Sequence, residues 1–169
     1  MGVRFSSLFV AIVVLFTGAA QAGDLAVSKY VKVYKGDEGI RVAVVLLEPT
    51  SGNQALIQVS GVDTAIDGVV LLHEIEDDSV RIAYRTTISG RGYTTLLAEK
   101  AYWGGKSFVL RLPEDVREPV TVWYDEDGSK EIEAENLLAT HKKQQQAGTL
   151  AKLQDFDRTA HEREAETDL

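Results

Sequence analysis

Between Val27 and about Trp123 the chain is a run of short β-branched and aromatic segments cut by turn residues. That rhythm confines it to an all-β architecture. Residues 30–34 open the pattern, with Val31 and Val33 alternating against Tyr30, Lys32 and Tyr34. After the turn Gly36-Asp37-Glu38-Gly39, residues 40–47 form a nearly continuous apolar run, which predicts a strand covered on both faces. A break over 49–53 precedes a strand at 55–59. Residues 62–68 read as a structured loop, and 69–75 as a strand running into acidic residues. Over 80–88 the alternation is clean: Val80, Ile82, Tyr84, Thr86 and Ile88 share one face. A loop tip, Ser89-Gly90-Arg91-Gly92, follows. Strands are then expected over 93–98, 106–112 and 120–124, with Gly104-Gly105 as a hairpin turn and Glu118-Pro119 between the last two.

Asp125-Glu126-Asp127-Gly128 is a turn signal, and with residues 130–134 it predicts a final hairpin. Beyond it the periodicity changes. Leu137, Leu138, Leu150, Leu153, Phe156 and Ala160 are spaced for helices among Ala, Glu, Lys and Gln. Gly148 suits the left-handed end of one helix, and Thr149 the cap of the next. The expected organisation is an all-β domain over 23–134 and a helical tail over 135–169. The tail docks on the sheet through its apolar stripe and frays beyond Arg158. Eight or nine short strands at roughly 10-residue intervals predict an antiparallel β-sandwich or a partly closed β-barrel with a C-terminal helical segment.

The N-terminus carries an address. Arg4, the apolar run 8–16 and the small-residue pattern Ala20-Gln21-Ala22 have the order of a cleaved signal peptide over 1–22. The run is shorter than the roughly 20 apolar residues that span a bilayer. The chain contains no cysteine, so no disulfide staples it, and no N-x-S/T acceptor is present. Both features fit bacterial export, to the periplasm first and to the medium second. The formal charge is −8, a poor match to nucleic acid, which needs clustered cations to neutralise phosphates. Insertion in a membrane is not expected after the signal is removed.

Candidate chemistry is sparse. His73-Glu74-Ile75-Glu76-Asp77-Asp78 gathers an imidazole and carboxylates, but alternation sets His73 and Asp77 on one face and Glu74 and Glu76 on the other. A zinc site needs three or four ligands converging on one point, so the cluster reads as a strand running out through an acidic turn. Asp125 to Ser129 has glycine two positions early for a calcium loop, and the Asp-Gly turn explains it better. No nucleophile elbow or phosphate-binding glycine loop is present. No metal or cofactor is expected.

Two loop regions carry interface chemistry. The glycine-flanked tip offers Arg91 and Tyr93, and Tyr102 and Trp103 precede the Gly104-Gly105 turn. Arg, Tyr and Trp are the side chains that most often anchor protein interfaces. Trp103 and Trp123 also suit the core, because aromatics bury large apolar areas. The function expected is a non-catalytic exported module that binds another envelope protein, as an inhibitor or immunity-type protein does, through Arg91, Tyr93, Tyr102 and Trp103. One alternative is a small-ligand or cell-envelope glycan site with Tyr93, Tyr102 and Trp103 as stacking residues. Another is a hydrolase with dispersed carboxylates, metal-assisted at His73 and Asp77.

Overall fold

In the computed structural model, residues 25–100, 106–113 and 119–155 are described below. Eight antiparallel strands follow one another around a closed barrel, each bonded to its sequence neighbours and the last to the first. They are β1 (Ala26–Lys35), β2 (Arg41–Glu48), β3 (Gln54–Ser60), β4 (Val70–Asp77), β5 (Arg81–Ile88), β6 (Arg91–Lys100), β7 (Lys106–Leu110) and β8 (Val120–Asp125). Among the described residues three α-helices follow the barrel: α1 (Glu126–Glu131), α2 (Ala134–Gln146) and α3 (Thr149–Gln154). The barrel is the second of the two architectures expected, fully closed.

The alternation of apolar residues explains the two cores. Inward-facing Val42, Val44, Ile57, Leu71, Tyr84, Leu96, Phe108 and Leu110 fill the lumen, and the Tyr34 and Phe108 rings lie 4.5 Å apart within it. Residues of the opposite parity on β1 to β4, including Val33, Val45, Leu56 and Val70, form a second cluster under Ala134 and Leu137 of α2. β2 is therefore buried on both faces, as its continuous apolar run implies.

α2 is held by side chains acting as strand partners, and α3 by its backbone carbonyls. β4 and β5 pair only from Glu74 opposite Arg85 to Asp77 opposite Ile82. Above that stretch, α2 stands in for β5. Gln144 Oε1 accepts from the Val70 N–H at 2.9 Å, and its amide donates to the Gly68 carbonyl at 3.1 Å. His141 Nδ1 donates to the Val70 carbonyl at 2.8 Å. α3 then turns over the same mouth of the barrel. Its Leu150 enters the lumen cluster, and the carbonyls of Leu153 and Gln154 accept from the Ser89 and Gly90 amides at 2.9 and 2.8 Å. Gln144→Ala leaves the Val70 N–H without this partner and is expected to cost about 1–2 kcal/mol, read by urea denaturation.

One element differs from expectation. Residues 130–134 were expected as a strand after an Asp-Gly turn, but Glu126–Glu131 is the helix α1. Ser129 Oγ donates to the Asp125 carbonyl at 2.6 Å, and Lys130 pairs with Glu126 one turn earlier at 2.9 Å. Two acids in the first turn and a lysine in the last also suit the helix dipole. The helical part thus begins at Glu126, ahead of the expected boundary at 134. The other eight strands lie where the sequence places them. The turn between β5 and β6 is shorter than the four-residue tip expected: Ser89 and Gly90, both with positive φ, make it alone, and Arg91 and Gly92 belong to β6.

Candidate binding surface at the barrel seam

The ring closes between β1 and β8 over a short seam, Val33 to Lys35 opposite Asp125 to Trp123. Below it β8 gives way to α1, and Ser129 Oγ takes the place of a strand by accepting from the Val33 N–H at 2.8 Å. This short closure is what leaves aromatic residues on the outside. Trp123 faces outward, on the opposite side of β8 from buried Val122, and is 53% exposed. Tyr124 sits where the wall ends. It meets the buried Tyr34 ring edge-on at 6.0 Å and is 55% exposed. Tyr30 lies where β1 bulges between Val27 and Val31, and is 76% exposed.

Two concavities flank these rings. A groove of about 960 Å³ runs between lower β1 and α1, with Tyr30 and Tyr124 in its walls. Its charges are mixed: Lys29 and Lys32 on the strand, Glu126, Lys130, Glu133 and Glu135 on the helical side. Hydrogen bonds to Glu126 and then Asp127 raise the Lys130 ammonium above its ordinary value, so that cation is already engaged. A second cleft, about 550 Å³, opens at the mouth formed by the β1–β2 and β3–β4 connections and includes Trp123.

The residues singled out in the sequence fare differently. Arg91 is exposed at the start of β6, while Tyr93 is half-buried and packs against the lumen cluster. Tyr102 and Trp103 lie outside the described residues. Trp123, which its size suggested as a core anchor, is a surface residue. Its outward position is legible in the alternation of β8, because Val120 and Val122 take the inward face. Tyr30 and Tyr124 were not recognised as surface residues, since their exposure depends on the bulge and on the end of β8.

Both histidines within the described residues are buried in the fold. His73 lies inside the barrel wall: Nδ1 donates to the Leu71 carbonyl at 3.0 Å, so Nε2 is the acceptor for the Thr95 hydroxyl at 2.8 Å. Burial pushes its pKa from 6.5 down to about 4. On the other face of β4, Glu76 binds Arg85 at 2.8 Å, and Asp78 accepts from the Val80 and Arg81 amides. The acidic stretch thus runs out of the strand into a turn. Among the described residues no three His, Asp or Glu side chains converge to hold a metal ion. No described helix is long and apolar enough to cross a membrane.

Comparison with protein-family models, with characterised proteins and with solved structures gave no significant match, so the assignment of a role rests on the chemistry of this chain alone.

Proposed function

We propose that this chain is an exported, non-catalytic protein-binding domain whose partner docks on the β1–β8 seam. The observation that carries the proposal is the exposure of Tyr30, Trp123 and Tyr124 on adjoining strands of a barrel whose inward-facing side chains pack as one buried cluster. A barrel that binds small ligands in its interior needs room there, so this packing favours an outer binding face. Tyr and Trp supply large, rigid contact area with a polar edge, the composition of interface hot spots. The leader-like residues 1–22 support an envelope or secreted partner. An inhibitor or immunity-type role, in which the apposed face blocks an enzyme, is the concrete form of this reading.

The test is affinity capture from envelope extract, with the dominant partner then produced and its affinity measured. Tyr30→Ala/Tyr124→Ala is expected to weaken binding at least tenfold, because a hot-spot truncation costs about 2 kcal/mol or more. Both rings are more than half exposed, so the melting temperature should hold. A wild-type bait that retains no stoichiometric partner, or a variant that binds as tightly, overturns the proposal.

A further inference from the structure

We infer that the cleft beside Trp123 receives an arginine side chain of the partner. This rests on the protein-binding reading above and specifies its chemistry. The cleft's volume of about 550 Å³ falls within the range of roughly 300–1,000 Å³ typical of binding pockets. Ile40, Val62 and Val120 give it an apolar floor, and the Trp123 indole forms one wall. Its rim is acidic: Asp37 and Glu38 from the β1–β2 turn, and Asp63 from the β3–β4 connection.

Charge decides the occupant. No lysine or arginine is among the described residues that line the cleft. Lys35, the cross-strand neighbour of Trp123, is turned to Asp125 at 3.8 Å. Carboxylates around a low-dielectric floor focus a negative potential and draw a cation in. They do not converge closely enough to ligate a metal ion. A guanidinium meets the site at each point. Its plane stacks on an indole, its fork bonds carboxylates, and its methylene stem lies on an apolar floor. An ammonium is a compact, strongly hydrated charge and matches only the rim. Trp123 lines the cleft and is also one of the exposed aromatic residues of the seam, so the arginine would come from the same partner.

The test is a nuclear magnetic resonance titration of the full chain with acetyl-Leu-Arg-Leu-amide and with the same peptide carrying citrulline, which keeps the shape and removes the charge. Amide shifts are expected at Ile40, Val62, Asp63, Thr121 and Trp123, with the citrulline peptide at least tenfold weaker. Asp37→Asn/Glu38→Gln/Asp63→Asn alters exposed side chains only. It should fold normally and weaken the arginine peptide at least tenfold. Equal binding of the two peptides, unchanged binding to the triple variant, or shifts elsewhere on the barrel overturn the inference. The two proposals fail separately. A partner that Tyr30→Ala/Tyr124→Ala releases but the triple variant holds at full affinity removes the arginine site and leaves the seam; no partner at all removes the seam reading itself.

Discussion

Gly61→Ala is expected to lower stability by about 2–5 kcal/mol, the sum of a left-handed backbone penalty and an overpacking penalty. Gly61 follows β3 with φ +78°, a conformation that L side chains rarely adopt. A Cβ built there would lie 2.5 Å from the Gly39 carbonyl oxygen and 3.1 Å from its carbon. Backbone cannot rotate aside as a side chain can, so the two connections would have to separate. Gly39→Ala is the control. Its φ is +83°, but nothing lies within 4 Å of the added atom, so it should cost only the backbone term of about 1–2 kcal/mol. Denaturant unfolding of the two variants separates conformation from collision. Equal losses would show that the β1–β2 and β3–β4 connections do not press together as described.

Acid is expected to remove about 3 kcal/mol through His73, because a pKa difference of one unit corresponds to about 1.4 kcal/mol. The sign follows from the proton balance. In the unfolded chain the imidazole protonates near 6.5, while burial holds the folded group to about 4. Below 6.5 the unfolded state therefore binds a proton that the folded state does not, and stability falls with pH. The contribution is complete above pH 6.5, declines through the window, and levels off below 4. Carboxylates titrate at the lower edge of the same range, so the measurement is a difference between proteins. His73→Leu/Thr95→Val removes both partners of the 2.8 Å bond and should flatten the slope between pH 6.5 and 4.5 relative to wild type. Thr95→Val alone strands Nε2 and is expected to destabilise by about 1–3 kcal/mol at neutral pH. An unchanged slope in the double variant would place the acid sensitivity elsewhere.

The parts of this fold that were legible are those set by local alternation. β5 is the clearest case, with Ile82, Tyr84 and Ile88 buried on the face the pattern assigns. The continuous run in β2 correctly marks burial on two sides. What the pattern hides is non-local. Tyr84 pairs with Leu96, yet Arg85 pairs with Thr94, so Thr95 is an extra residue in β6. That bulge turns Thr95 towards His73 and reverses the inward parity of β6, which is how Tyr93 comes to pack on the core. Nothing in the spacing of residues 91–100 announces it. α1 was hidden for another reason. Asp-Gly is a strong turn signal, but Gly128 here sits where a Cβ would lie 2.7 Å from Asp125 and 3.0 Å from Arg41. Here it lies within a helix, against the ends of the Asp125 and Arg41 side chains. The candidate surface was the least legible part, because exposure of Tyr30 and Tyr124 follows from the β1 bulge and from where β8 stops.

The way the ring closes also sets the order in which the molecule can be made. Each strand from β1 to β7 finds its next partner across a local connection, whereas the Val33–Ser129 bond joins residues 96 apart in sequence. Closing so long a loop carries an entropic cost that local hairpins avoid, and distant pairings slow folding. The hairpins are thus free to assemble as the chain emerges, and the ring is completed only after β8, ending at Asp125, has been added. Until then β1 and the growing end of the sheet are bare edges, open to pairing with another chain. The molecule's most vulnerable moment therefore comes late in its synthesis, and α1 ends it by covering the edge of the first strand.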